Sequence, residues 1–148
     1  MRVIIEFCFS SQWLLIATLF AFGLGDARAD ARPCSSREAF AAEQEASTLR
    51  DWDALYRSYE QFSHCDDGAI SEGYSYSVAW LLTDRWEGFG RLLALAKHSS
   101  HFEDFVVSHI NETMSQENAK RLLRNLAECP PSGEKLCSRL KSAVAASS

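Results

Sequence analysis

The chain lacks the sequence motifs that mark the common catalytic sites. It contains no G-x-S-x-G, no H-E-x-x-H and no phosphate-binding loop. These absences remove the usual signatures of serine hydrolases, zinc metalloproteases and P-loop nucleotide-binding proteins. No residue therefore receives a catalytic assignment from a motif, and we expect a binding protein rather than an enzyme.

Dense groups of basic residues are also missing. The chain has 15 lysines and arginines against 20 acidic residues, giving a net charge of −5. The densest basic group is Lys120, Arg121 and Arg124, which share one predicted helix and fit a solvated face. Binding to phosphate backbones needs clustered cations, so we expect no nucleic acid among the partners.

A long apolar run occurs only near the N-terminus. It covers residues 13–25, which is short of the roughly 20 residues that span a bilayer. Ala27 and Ala29 follow it with the spacing of a signal-peptide cleavage site. We therefore expect residues 1–29 to be a cleaved signal peptide and residues 30–148 to form a single exported domain, periplasmic or extracellular. An uncleaved anchor is the alternative.

Cleavage at that site removes Cys8 and leaves four cysteines: Cys34, Cys65, Cys129 and Cys137. An even number in an exported chain predicts two disulfides with three possible pairings. The cysteine spacing does not suit a zinc site. A turn near residues 47–50 would fold two helices into an antiparallel hairpin and bring Cys34 beside Cys65. Cys129 and Cys137 flank Pro130 and Pro131, so the same reasoning pairs them with each other.

Apolar residues recur every three or four positions, and no segment alternates strictly. The pattern predicts an all-α fold: a compact bundle of about five to seven short helices, built from antiparallel hairpins and stapled by disulfides. Side chains that can cap helix N-termini mark the helix starts. They are Ser35, Asp51, Asp66 or Asp67, Ser100 and Ser115. We expect residues 143–148 to fray.

The segment HCDDG, residues 64–68, gathers the residue types that active sites use. Helix capping explains the two aspartates, and a disulfide explains Cys65. A small secreted hydrolase would instead use His64, Asp67 and Glu72 as its acid and base groups. A metal site would add Asp66 to these three, but the segment lacks the ligand pattern of an EF-hand. Capping is the favoured interpretation, so we expect no metal and no cofactor.

The helix that follows carries small residues at helical spacing beside larger polar and aromatic ones. Tyrosine and tryptophan are frequent anchors of protein interfaces because they bury much area with little side-chain entropy to lose. We therefore name Glu72, Ser75, Tyr76 and Trp80 as candidate partner-binding residues. The alternative is that this face packs against another helix of the same domain.

The combination of export signal, acidity, helices and disulfides is similar in layout to the periplasmic immunity proteins that neutralise type VI secreted amidases. The likeness implies a partner that is another protein. We expect an inhibitor, immunity or accessory protein for a secreted or envelope enzyme, with the hydrolase as the alternative.

Overall fold

The structure is a computed structural model that describes residues 32–147. Within this range seven α-helices follow one another and no β-strand occurs. They are α1 (Ser36–Ala46), α2 (Trp52–Phe62), α3 (Gly68–Asp84), α4 (Phe89–His98), α5 (Ser100–Ser108), α6 (Gln116–Ala127) and α7 (Glu134–Ala146). Single 3₁₀ turns occur at Ser63–Cys65, Trp86–Gly88 and Pro131–Gly133. The predicted all-α bundle of five to seven helices is confirmed.

The predicted signal peptide and its cleavage site lie outside the described residues. Among residues 32–147 no helix is both long enough and apolar enough to cross a membrane. Helix α7 continues to Ala146, and Val144 within it is buried. The expectation of fraying from residue 143 is therefore wrong for this last helical turn, since burial of Val144 holds it against the core.

Helix α3 is the centre of the bundle. Its apolar residues are spread around most of its circumference, and Tyr74, Val78, Leu81 and Leu82 are at most 1% exposed. A helix that is apolar nearly all round must be covered on most sides. Helices α1 and α6 pack along α3, which accounts for much of that cover.

Small residues allow α1 and α3 to approach closely. A methyl group placed on the α-carbon of Gly73 would lie 2.8 Å from the β-carbon of Ala46, closer than two carbon atoms can pack. One turn further on, the Ser77 hydroxyl donates a 2.5 Å hydrogen bond to the carbonyl of Ala46. The contact of the two helices therefore depends on the absence of a side chain at position 73.

Both disulfides form as predicted. Cys34 is bonded to Cys65 with 5.0 Å between the α-carbons, and Cys129 is bonded to Cys137 with 6.4 Å between them. The first bond ties the entrance of α1 to the end of the α2 segment, and the second closes the turn between α6 and α7. Two disulfides indicate that the chain matures in an oxidising, non-cytoplasmic compartment.

Short polar side chains cap most of the helices. Ser35 and Glu38 form a reciprocal capping box at α1. Asp51 accepts from the amide of Ala54 at α2, and Ser115 accepts from the amide of Asn118 at α6. Each such bond satisfies an amide that the helix itself leaves unpaired.

Two of the predicted caps are wrong. Asp67, not Asp66, has the extended backbone of the N-cap of α3, and Asp66 turns its carboxylate towards another helix. Ser99, not Ser100, caps α5 and accepts from the amide of Phe102. Only Ser99 separates α4 from α5, so it alone has the extended backbone that a cap needs. Both errors arise where two capping residues are adjacent in sequence.

Candidate functional site

The exposed side of α3 carries a cluster of arginine and aromatic side chains. Tyr76 is 55% exposed, whereas Trp80 is half-buried one turn further along. The Arg50 guanidinium lies 5.6 Å from the centre of the Tyr76 ring and 5.1 Å from the centre of the Trp80 ring. Arg85 approaches the same Trp80 ring at 5.9 Å. We call these four residues the arginine–aromatic face.

The predicted partner-binding residues divide between this surface and the interior. Glu72 and Tyr76 are exposed and Trp80 is half-buried, but Ser75 is only 3% exposed. Ser75 therefore lies beneath the surface on which the other three residues are found. Its position on α3 points towards α6 and the α5–α6 connection, which cover it.

Ser75 belongs to a buried chain of hydrogen bonds. Its hydroxyl lies 3.0 Å from Nδ1 of His109, which is 2% exposed, and Nε2 of His109 lies 3.2 Å from Oδ2 of Asp66. The Asn111 amide also donates to the Ser75 oxygen at 3.0 Å. These hydrogen bonds connect the start of α3, its middle and the end of α5 through Asp66, Ser75, His109 and Asn111. We call these four residues the buried polar chain.

The direction of these hydrogen bonds follows from their chemistry. An ionised carboxylate only accepts, so the proton between His109 and Asp66 sits on Nε2. In the neutral ring Nδ1 then accepts the proton of the Ser75 hydroxyl. The side-chain amide of Asn111 donates to a lone pair of the Ser75 oxygen. Burial of the neighbouring Tyr74 side chain raises the pKa of its hydroxyl to about 12, so this hydroxyl stays protonated and bonds Ser58.

A cavity of about 360 Å³ lies outside the buried polar chain, between α3 and the start of α6. Glu72, Ser75 and Tyr76 border it from α3, and Met114 and Asn118 border it from the other side. The arrangement gives a concave surface next to the arginine–aromatic face.

The segment 64–68 does not assemble a common site with Glu72. His64 and Asp67 border a cavity of about 420 Å³ beside the Cys34–Cys65 disulfide, whereas Glu72 borders the cavity near Met114. The nearest carboxylate to the His64 ring is that of Glu38, at 3.5 Å. The Ser35 hydroxyl and amide, together with Arg32 and His64, lower the pKa of Glu38 to about 2. The geometry therefore gives no support to a hydrolase built on His64, Asp67 and Glu72.

Within residues 32–147, no three His, Cys, Asp or Glu side chains are grouped so that they could hold a metal ion. The site residues that sequence reasoning missed are Arg50, Arg85, His109 and Asn111. His109 did carry a signal, since it falls in the apolar repeat of α5 and a histidine there needs buried partners. Arg50 and Asn111 lie in connections, where the helical period carries no information.

Taken together, fold and surface define a small all-helical, disulfide-stapled domain with an exposed arginine–aromatic face. The chain matches no protein-family model, no curated protein and no solved structure at a significant level.

Proposed function

We propose that this chain is an exported protein-binding domain that acts as an inhibitor, immunity or accessory protein for a secreted or envelope enzyme. The observation that carries the proposal is the exposure of Tyr76, 55%, beneath the Arg50 guanidinium. Tyrosine, tryptophan and arginine are the residues that most often dominate the binding energy of protein interfaces. Here they occur together on one surface.

The rigidity of α3 favours the same interpretation. Tyr76 and Trp80 project from a helix whose other sides are buried, so their backbone is already ordered before any partner arrives. Binding to a surface ordered in advance avoids part of the entropy cost of association. The cavity beside Tyr76 would give a partner side chain a place to insert next to this surface.

The periplasmic or extracellular location is part of the proposal. The disulfides support an oxidising compartment, and the A-x-A sequence at residues 27–29 supports export. Expression of the full chain in a bacterial host should yield a soluble product beginning at Asp30. Intact-mass analysis of the periplasmic fraction measures this, and recovery of the chain with residues 1–29 still attached would contradict it.

The binding partner can be sought by a photo-crosslinking residue at position 76 in cells that export the chain. A partner identified from the crosslink is then purified and titrated with variants. We expect Tyr76→Ala to weaken binding by at least tenfold and Glu72→Lys to weaken it as well, with the helical circular dichroism spectrum preserved.

Phe40→Ala is the matched control, since Phe40 is a 65% exposed aromatic residue on α1 outside the arginine–aromatic face. We expect this variant to bind like the unmodified chain. Equal weakening by Phe40→Ala and Tyr76→Ala, or none by Tyr76→Ala, would place the interface elsewhere.

The buried polar chain favours a second candidate, a small hydrolase with Ser75 as nucleophile, His109 as base and Asp66 as the residue that orients the ring. The order of groups is that of a serine–histidine–aspartate triad. Two features weigh against it. Ser75 and His109 are almost fully buried, and the backbone amides around Ser75 are used by α3, so they do not form an oxyanion hole.

A fluorophosphonate probe separates the two candidates. A catalytic Ser75 would be labelled, and Ser75→Ala would abolish labelling. A structural Ser75 would stay unlabelled in the folded protein at millimolar probe. Labelling at Ser75 with measurable ester hydrolysis would replace the binding proposal by the hydrolase.

A further inference from the structure

A small pocket lies next to the arginine–aromatic face, between the start of α2 and the turn that leads into α4. Its volume is about 150 Å³. Three arginines border it, Arg50, Arg85 and Arg91, together with Trp52 and Gly88. We call it the arginine pocket.

The indole of Trp52, which borders this pocket, carries a buried donor without a partner. Trp52 is 3% exposed, and its Nε1 makes no hydrogen bond to any residue that the structure describes. A buried N–H without an acceptor is costly and rare in folded proteins. The edge that carries Nε1 faces Gly88: a methyl group on that α-carbon would lie 3.4 Å from Nε1 and 3.2 Å from Cδ1.

The three arginines differ in their ion pairs. Arg91 bonds the carboxylate of Asp53, and Arg85 bonds that of Glu87. Arg50 has no carboxylate partner within residues 32–147. It donates from Nη1 to the carbonyls of Ser47 and Leu49, which leaves donors on its other nitrogens. Two carboxylates also border the pocket: Oδ1 of Asp51 accepts from an amide of α2, and Glu87 is the one paired with Arg85. One guanidinium and one indole N–H therefore remain for an external acceptor.

The pocket and the arginine–aromatic face are continuous. Arg50 and Arg85 border the pocket and also lie over the rings of Tyr76 and Trp80. A polypeptide lying on those rings would carry its side chains past the mouth of the pocket. The chemistry of an occupant follows from the donors: it must accept from both a guanidinium and an N–H, and it must be small.

We propose that the arginine pocket receives an aspartate or glutamate side chain of the partner protein, held by Arg50 and by the indole N–H of Trp52. The inference rests on the proposed function, since it names the chemical group that the same surface recognises. A carboxylate accepts without donating, pairs with arginine in two parallel hydrogen bonds, and is small enough for this volume. The overall charge of −5 disfavours polyanions such as nucleic acids but leaves room for a single carboxylate.

The test uses the purified full chain with both disulfides formed and follows the indole N–H signals by NMR. The probe is the blocked peptide acetyl-Gly-Gly-Glu-Gly-Gly-amide, and the same peptide with Gln is the neutral comparison. We expect the Glu peptide to shift the Trp52 signal downfield in a saturable way, and the Gln peptide to leave it unchanged. Trp13→Phe, Trp80→Phe and Trp86→Phe assign the other three indole signals, so the assignment does not depend on a Trp52 variant that folds.

Two variants test the pocket without removing Trp52. Arg50→Gln should raise the dissociation constant for the Glu peptide at least tenfold, as expected for loss of the charge-assisted pair with the guanidinium. Gly88→Ala should also weaken binding, because the added methyl group covers the indole edge while every charge is kept. Arg124→Gln is the matched control, an exposed arginine on α6 with the same charge change, and should bind as the unmodified chain does.

Three outcomes overturn the proposal. No shift of the Trp52 signal, or an equal shift with the Gln peptide, would show that the pocket does not recognise a carboxylate. Inorganic phosphate that binds as tightly as the Glu peptide would make it a site for free anions instead of a partner's side chain. If the Glu peptide does not bind but Tyr76→Ala still weakens binding of a crosslinked partner, the proposed function stands. A saturable shift of the Trp52 signal with the Glu peptide, but no partner crosslinked at position 76, would leave the carboxylate site standing and contradict the proposed function.

Discussion

At the scale of single residues, His109 is the buried polar side chain with the most distant connections. It links Asp66, at the start of α3, to Ser75, two turns further along the same helix, and lies at the end of α5. All its ring nitrogens are used, so the ring holds these elements in one register. The Ser75 hydroxyl also joins two elements, because both Nδ1 of His109 and the side-chain amide of Asn111 bond to it.

We predict that Ser75→Ala lowers the free energy of unfolding by about 1–3 kcal/mol. The substitution leaves Nδ1 of His109 and the amide of Asn111 without their buried partner, and unpaired buried groups cost about this much. Urea unfolding at neutral pH measures the change. Ser71→Ala is the control, because the Ser71 hydroxyl bonds no described residue and lies one turn earlier on α3; a loss there as large as at Ser75 would contradict the explanation.

Ser35 has a different kind of local effect, through its capping box with Glu38. The hydrogen bonds from Ser35 are the largest cause of the lowered pKa of Glu38, about 2. We predict that Ser35→Ala raises the pKa of Glu38 towards its ordinary value and costs about 1 kcal/mol in helix capping. NMR titration of the Glu38 carboxyl measures the pKa. Ser47→Ala, at the other end of α1, should leave it unchanged.

The sign of the pH dependence follows from the direction of the shift. A carboxyl group whose pKa is lower in the folded state stabilises the fold above its ordinary pKa of 4.5, and this contribution disappears as the pH falls through about 2. The stability difference between Ser35→Ala and the unmodified chain should therefore narrow between pH 4.5 and pH 2. A difference that widened on acidification would contradict the capping-box explanation.

At the scale of the helices, the tightest contact is that between α1 and α3 at Gly73. We predict that Gly73→Ala destabilises the protein by about 1–3 kcal/mol, because the new methyl group overlaps Ala46 and overpacking outweighs the better helix propensity of alanine. Gly90→Ala is the matched substitution on α4, where a methyl group meets nothing within 4 Å. It should stabilise by up to about 1 kcal/mol. In thermal unfolding, Gly73→Ala should lower the melting temperature and Gly90→Ala should raise it.

The sequence predicts that the helices exist better than it predicts which face of each helix contacts which neighbour. Hydrophobic period and capping residues predict about five to seven helices, in agreement with the seven observed, because both signals are local. Adjacent capping residues leave a one-residue ambiguity, which tertiary contacts resolve at Asp66–Asp67 and Ser99–Ser100. Helix α3 is apolar nearly all round, so its period does not say which row of small residues meets which neighbour. Ser75 and Gly73 were for this reason beyond sequence reasoning.

The surface features needed information that no helical pattern contains. Arg50 reaches Tyr76 and Trp80 from the connection between α1 and α2, and its position depends on how α1 packs on α3. The arginine pocket likewise joins residues that lie up to 41 positions apart, from Arg50 to Arg91. Tyr76 and Trp80 were identifiable from composition and spacing alone, since a tyrosine outside the apolar stripe of its helix is expected at the surface.

At the scale of the whole molecule, the two disulfides constrain the unfolded chain unequally. The Cys34–Cys65 bond closes a loop with a sequence separation of 31, and the Cys129–Cys137 bond one with a separation of 8. Loop-closure entropy gives contributions of about 4 and about 2.5 kcal/mol respectively at room temperature. The two pairs of cysteines also serve different parts of the bundle, since the first ties down the entrance to α1 and the second closes only the turn from α6 to α7.

We therefore predict that the double variant Cys34→Ser with Cys65→Ser loses more stability than Cys129→Ser with Cys137→Ser, by about 1–1.5 kcal/mol. Removing both cysteines of a pair avoids a free thiol that could exchange with the remaining bond. Chemical unfolding of the two double variants under non-reducing conditions measures the difference. A larger loss from the short loop would show that native packing around Cys137, not chain entropy, determines what each disulfide contributes.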